Sequence, residues 1–108
     1  MTAGENLGRE PTRDEIERMA GPVLLEFGVS WCGYCLALAP KLARLLEGHP
    51  AIHHIKIEEG PGRRVGRSFG VKFWPTLVFM RDGQVVKQVS RPEIGEVSDG
   101  LAAIAEDA

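Results

Sequence analysis

Short apolar runs bounded by turn residues predict the strands of this chain. Residues 23–29 (VLLEFGV) are almost purely apolar, which is typical of a strand buried on both faces of a sheet. Residues 51–57 (AIHHIKI) predict a second strand. Residues 76–80 and 84–89 predict two more, and the Asp-Gly pair between them is a hairpin signal.

Helical periodicity occupies the segments between these strands. Thr12 and Glu15 have the spacing of a capping box at the start of a short first helix. A longer amphipathic helix carries leucines on one face, and Pro40 inside it is expected to kink it. The four predicted helices cover residues 12–20, the segment from Cys32 to Gly48, residues 63–69 and residues 93–105.

The order α-β-α-β-α-β-β-α predicts an α/β fold with one mixed sheet. The first strands are expected to be parallel with a right-handed crossover, and the last two to form an antiparallel hairpin. Helices are expected on both faces of the sheet. The length of 108 residues fits one domain, which we assign to residues 11–108, and the polar residues 1–10 are expected to form a flexible tail.

Charge and hydropathy narrow the classes of partner. The net charge of −2 gives no reason to expect nucleic acid or an anionic membrane as a partner. The first twenty residues contain no apolar run long enough for a signal peptide. No segment approaches the ~18 apolar residues of a membrane-spanning helix. We therefore expect a cytoplasmic protein that acts as a monomer.

The only two cysteines, Cys32 and Cys35, stand where the first strand hands over to the long helix. Unpaired backbone N–H groups and the helix dipole favour a thiolate at Cys32. Cys35 lies three residues further along the same helix face, so the two sulfurs can bond with little backbone movement. This predicts that Cys32 attacks a substrate disulfide and that Cys35 resolves the mixed disulfide. A purely structural clasp would close too small a loop to stabilise the fold much.

Zinc binding is an alternative for the same cysteines. The spacing Cys32-x2-Cys35-x13-His49-x3-His53 fits a two-Cys, two-His site, and His54 offers a second choice of ligand. A long core-type helix lies between the cysteines and the histidines, and the chain has enough apolar residues to fold without metal. The simpler interpretation is a turn residue at His49 and exposed polar positions at His53 and His54, so we expect no metal site.

Several of these features together resemble the thioredoxin family over about residues 12–105. The features that carry the resemblance are the strand VLLEF, the motif Trp31-Cys32-Gly33-Tyr34-Cys35, Pro40, the stretch FGVKFWPTLVF with Pro75-Thr76, and the Asp82-Gly83 hairpin. The resemblance implies a thioredoxin fold and a thiol–disulfide oxidoreductase that reduces protein disulfides. It also implies a redox-active Cys32–Cys35 disulfide instead of a bound cofactor, and a recharging reductase of the thioredoxin-reductase type.

The resemblance also implies roles for further residues. Pro75 matches the family's cis-proline, which would leave the backbone of Trp74 free to pair with an extended substrate chain. The alternative for Pro75 is a trans proline opening an edge strand. Glu26 matches an acid that helps to deprotonate the resolving cysteine, and the alternative is a solvent-facing position at a sheet edge. Lys56 matches a lysine near that acid, or is a solvated lysine at the end of a strand.

The substrate surface is expected to include Trp31, Gly33, Tyr34, Trp74 and Pro75. Tyr34 stands where general reductants of this family usually have proline, and Trp74 replaces a smaller residue. These departures predict a less reducing couple and a specialised partner. The alternative function is a thioredoxin-like binding module that holds a partner through the two tryptophans while the cysteines stay idle.

Overall fold

A computed structural model of the chain describes residues 10–60 and 63–105. The predicted tail therefore lies almost entirely outside the described residues. The elements are α1 (Arg13–Glu17), β1 (Pro22–Gly28), α2 (Gly33–Glu47), β2 (His53–Glu58), α3 (Val65–Ser68), β3 (Thr76–Arg81), β4 (Gln84–Ser90) and α4 (Ile94–Ala105).

The four strands form one mixed sheet in the order β2-β1-β3-β4. β1 pairs with β2 in parallel and with β3 antiparallel, and β3 and β4 form the predicted hairpin. The predicted fold class is confirmed. None of the helices in the described part of the chain is long and apolar enough to cross a bilayer.

Side-chain alternation along β1 divides the core into two layers. Leu25 and Phe27 pack with β2, β3, α1 and α3 on one face of the sheet. Leu24 packs on the other face, against apolar side chains of α2 and α4. Because successive residues of a strand point to opposite faces, Glu26 shares the face of Leu24 and lies on the side of α2.

The helices differ from the predictions mainly at their ends. Thr12 and Glu15 form the predicted capping box, with both of its hydrogen bonds present. α1 nevertheless ends at Glu17, three residues before the predicted end, and Gly21 adopts a positive φ of 77°. α2 continues through Pro40 to Glu47.

Candidate active site

Cys32 is the N-cap residue of α2. Its sulfur accepts a hydrogen bond from the backbone N–H of Cys35 at 3.3 Å, and the Sγ atom lies 3.8 Å from the carbonyl oxygen of Trp74. The Cys32 side chain is buried, with 7% of the residue exposed, and Cys35 is half-buried. Both cysteines are free thiols. The strand-to-helix junction therefore holds the two sulfurs within one helical turn.

The two thiols have unequal acidity. Burial opposes ionisation of Cys32, but hydrogen bonds from the Cys35 thiol and from the backbone N–H groups of Cys35 and Tyr34 outweigh it. These bonds, together with the positive charge of Arg91, lower the pKa of Cys32 from its ordinary value. Burial, followed by the hydrogen bond to Cys32 and the negative charges of Cys32 and Glu26, raises the pKa of Cys35 to about 11. As the pH rises, the thiolate therefore forms at Cys32 before it forms at Cys35.

Gly28 makes room for the sulfur of Cys35 at the end of β1. A Cβ atom built at Gly28 would lie 2.8 Å from the Sγ atom of Cys35. A residue with a side chain at this position would therefore collide with Cys35, which occupies the space next to the Gly28 backbone.

Glu26 lies in the middle of β1, buried beneath the start of α2. Only 6% of the residue is exposed, and its Oε1 atom lies 2.7 Å from Nε2 of His54. Lys56 is the register partner of Glu26 on β2, and its side chain is exposed. The structure thus brings Glu26 and Lys56 to the same part of the sheet and pairs the carboxyl group with a histidine.

The prediction that His54 is an exposed polar residue is wrong. His54 is 3% exposed and contacts Glu26, because it shares the α2 face of β2 with Lys56 while Ile55 and Ile57 fill the opposite face. Its Nδ1 atom is buried and has no hydrogen-bond partner among the described residues. The alternation of His54-Ile55-Lys56-Ile57 contained this signal, since it places His54 on the face of Glu26.

A cleft of ≈ 140 Å³ joins Glu26 to Cys35. Its walls come from the end of β1, the first turns of α2 and the facing part of β2, with Lys56 and Glu58 among its lining residues. A volume of this size admits water, which needs only about one probe sphere of 10–15 Å³. The cleft therefore provides space for a solvent path between the carboxyl group and the sulfur of Cys35.

Aromatic side chains surround Cys32 at the surface. Trp31 is 73% exposed and Tyr34 is 61% exposed, while Trp74 is half-buried. The Trp31 and Trp74 rings meet edge to face with centroids 5.7 Å apart, which is a favourable aromatic geometry. The Trp74–Pro75 peptide bond is cis. Trp31, Tyr34 and Trp74 thus lie on one face beside Cys32, Gly33 is exposed, and Pro75 is buried.

Two further residues of this surface are not predicted by the sequence motifs. Phe73 is exposed beside Trp74. Arg91 follows β4, and its Nε atom donates a hydrogen bond to the carbonyl oxygen of Trp74 at 3.1 Å. That carbonyl, expected to be free for a substrate chain, is therefore occupied. Local sequence gave no signal for Arg91, because its contacts are with residues far earlier in the chain.

No group of three or more potential metal ligands is clustered within residues 10–60 and 63–105. His49 follows the end of α2, and His53 opens β2.

The comparisons with known proteins agree with this geometry. The family model described as Thioredoxin matches residues 7–104. A solved structure of reduced thioredoxin 2 from Pseudomonas aeruginosa PAO1 is 49% identical, with a TM-score of 0.79 over 90% of this chain and 91% of that chain.

Two curated relatives come from fungi. Thioredoxin Asp f 28 of Aspergillus fumigatus is 31% identical over 79% of this chain and 80% of its own length. Thioredoxin-2 of Pyricularia oryzae is 36% identical over 62% of this chain, and the chain spans only 39% of that relative's length. The matched family model covers nearly the whole chain, including both cysteines. The chain belongs to the thioredoxin family of thiol–disulfide oxidoreductases.

Proposed function

We propose that this protein reduces disulfides of other proteins by dithiol exchange through Cys32 and Cys35. The observation that carries the proposal is the unequal pair at the start of α2. Cys32 caps the helix and accepts a hydrogen bond from the backbone N–H of Cys35, whereas the pKa of the Cys35 thiol is raised to about 11. A thiolate is the attacking species in exchange, and a neutral second thiol waits until the mixed disulfide has formed.

The proposed reaction transfers two electrons to the substrate. The Cys32 thiolate attacks one substrate sulfur, the substrate S–S bond breaks, and the departing thiolate takes up a proton. Cys35 then loses its proton and attacks the Cys32 sulfur, which releases the second substrate thiolate. The products are a substrate dithiol and an intramolecular Cys32–Cys35 disulfide.

Glu26 is our proposed acceptor for the Cys35 proton. The cleft that both residues line supports a proton transfer through water. Glu26 is buried, so bulk solvent has little access to its carboxyl group. Lys56 lines the same cleft and is proposed to stabilise the negative charge of Glu26 before Glu26 accepts the proton. Pro40 is proposed to support the site indirectly, through the course of α2.

The proposed docking surface consists of Trp31, Gly33, Tyr34, Trp74 and Pro75. Exposed aromatic rings around a buried nucleophile favour an extended polypeptide as substrate, because such rings supply apolar contact area around the attacked sulfur. Pairing of the substrate backbone with residues 74–75 would resemble strand addition. It requires the side chain of Arg91 to leave the Trp74 carbonyl.

The return to the dithiol requires an external electron donor. Members of this family are recharged by a reductase, and we propose a partner of the thioredoxin-reductase type, with no cofactor bound to this chain. The cytoplasmic location and the monomeric state stay predictions from the sequence.

The pH dependence of thiol reactivity tests the proposed unequal pair. We expect alkylation of the reduced protein by iodoacetamide to reach half its maximal rate at a lower pH than for an ordinary cysteine, since the pKa of Cys32 is lowered. Cys32→Ser should remove this phase and leave slow alkylation of Cys35 that rises only at higher pH, because burial still raises the pKa of that thiol. Stopped-flow or mass-spectrometric rates between pH 5 and 11 provide the measurement.

The matched control is Cys35→Ser, whose hydroxyl keeps a donor next to Cys32 and should preserve the low-pH phase. Both measurements accompany an insulin reduction assay with a chemical dithiol as electron source. Ordinary thiol reactivity in the wild type, with no insulin reduction above the dithiol alone, would support the binding module instead.

A further inference from the structure

The side chain of Arg91 lies on the aromatic surface next to Cys32. Its guanidinium carbon is 4.5 Å from the centroid of the Tyr34 ring and 5.3 Å from that of Phe73. Its Nε atom donates to the Trp74 carbonyl oxygen, which also lies 3.8 Å from the Cys32 sulfur. Two rings and one carbonyl therefore hold the guanidinium at the rim of the nucleophile.

The backbone at Arg91 adopts a conformation that side chains disfavour. Its φ is +48°, in the left-handed region that residues with a side chain rarely adopt. The Arg91 N–H donates to the Pro75 carbonyl oxygen at 2.7 Å, which holds this turn against the 74–75 segment. An arginine at such a position is a candidate for a functional role, because glycine would adopt the same backbone readily.

The guanidinium has unused hydrogen-bonding capacity. Within the described part of the chain no carboxylate pairs with Arg91. Its side-chain hydrogen bond, to the Trp74 carbonyl oxygen, uses the Nε atom alone. The residue is exposed, so the two terminal nitrogens face solvent or an incoming chain. These nitrogens form the planar donor pair that binds a carboxylate through two parallel hydrogen bonds.

We propose that Arg91 binds an aspartate or glutamate side chain of the substrate protein, close in sequence to the disulfide that Cys32 attacks. This inference rests on the proposed function and names the class of substrate, a disulfide flanked by an acidic residue. The carboxylate draws the guanidinium away from the Trp74 carbonyl, which frees that oxygen for the substrate backbone. Binding of the acidic residue and opening of the docking site are thereby one event.

Two disulfide-bridged peptides test the proposal. They differ only in an aspartate or an asparagine next to the attacked cysteine, and kcat/KM is measured for each with the full chain and an excess of chemical dithiol. For the wild type we expect the aspartate peptide to react about tenfold faster, the size expected for a hydrogen bond to a charged group. The preference should shrink at high salt, because exposed charges are screened.

Arg91→Gln is expected to remove most of this preference. Loss of the charge also acts on Cys32, so both peptides slow down together, and the ratio of their rates within one variant cancels that shared change. Arg91→Gly, which relieves the backbone, should lose the preference as well. Arg44→Gln removes the same charge from the last turn of α2 and should keep the wild-type ratio.

The outcomes separate the two proposals. A wild type that reduces neither peptide contradicts the proposed function. A wild type that reduces both peptides at equal rates leaves that function standing and overturns the role of Arg91. A decrease of less than about threefold in the ratio for Arg91→Gln, under 1 kcal/mol by the usual conversion, also overturns it.

Discussion

Cys32→Ser is expected to reduce insulin reduction to the background rate of the chemical dithiol. The hydroxyl of serine does not ionise near neutral pH, so the backbone N–H of Cys35 and the dipole of α2 have no thiolate to stabilise. No other described cysteine is available to begin the exchange except Cys35, which is half-buried and raised in pKa to about 11. We therefore expect the loss of the Cys32 sulfur alone to abolish insulin reduction by the protein.

Cys35→Ser should stop turnover at a different step. Cys32 still attacks the substrate, but no second thiol releases the mixed disulfide, so the variant is expected to accumulate covalently bound to its substrate. Non-reducing electrophoresis and intact mass spectrometry detect this adduct, and added dithiol should release it. Cys32→Ser should form no such adduct.

The two variants are informative only if both are folded. Serine is close in size to cysteine, and its hydroxyl can take part in the hydrogen bonds at the start of α2, so near-wild-type circular dichroism spectra and unfolding midpoints are expected. Insulin reduction by Cys32→Ser, or adduct formation through Cys35 alone, would disprove the assignment of the nucleophile.

The fold was predictable because its signals are local. The buried run of β1, the leucine periodicity of α2 and the Asp82-Gly83 turn each specify an element within a window of a few residues. The end of α1 was less predictable. Its apolar pattern extends to Met19, but the helix stops at Glu17 and the chain turns through Gly21 at positive φ to enter β1.

The candidate site was predictable where it is carried by a motif and not where it depends on tertiary approach. The cysteines, Trp31 and Trp74 stand in or beside recognisable motifs. Arg91 does not, because its position over Tyr34 results from the hairpin returning β4 to the sheet edge next to β3. A short-range pattern contains no information about that return.

The pairing of Glu26 with His54 required the strand register as well as the pattern. Alternation alone places both residues on one face, but contact follows from the parallel register that sets Leu24 opposite His54 and Glu26 opposite Lys56. A two-residue change of register would preserve the same alternation and separate the carboxyl group from the imidazole. The alternation therefore specifies which face of the sheet His54 occupies, but it does not specify which residue of β1 lies next to His54.

His54→Leu and Glu26→Leu should each destabilise the fold by more than the double variant does. The pair is joined at 2.7 Å and both residues are almost fully buried. Removing one member leaves the other without its partner, at a cost of about 1–3 kcal/mol in the free energy of unfolding. Removing both replaces a buried polar pair by apolar side chains, which is often nearly neutral.

A double-mutant cycle on the reduced protein measures this coupling. Urea unfolding of the wild type, the two single variants and the double variant should give a double-variant destabilisation smaller than the sum of the singles by about 2–6 kcal/mol, because each single costs about 1–3 kcal/mol and the double is nearly neutral. The control cycle combines Glu26→Leu with Thr12→Ala, which removes the capping box of α1 on the opposite side of the sheet. That cycle should be additive within about 0.3–0.5 kcal/mol, as is usual for residues without shared partners. Additivity in the Glu26–His54 cycle as well would mean that the two residues stabilise the fold independently, and the buried hydrogen bond would then have no energetic role of its own.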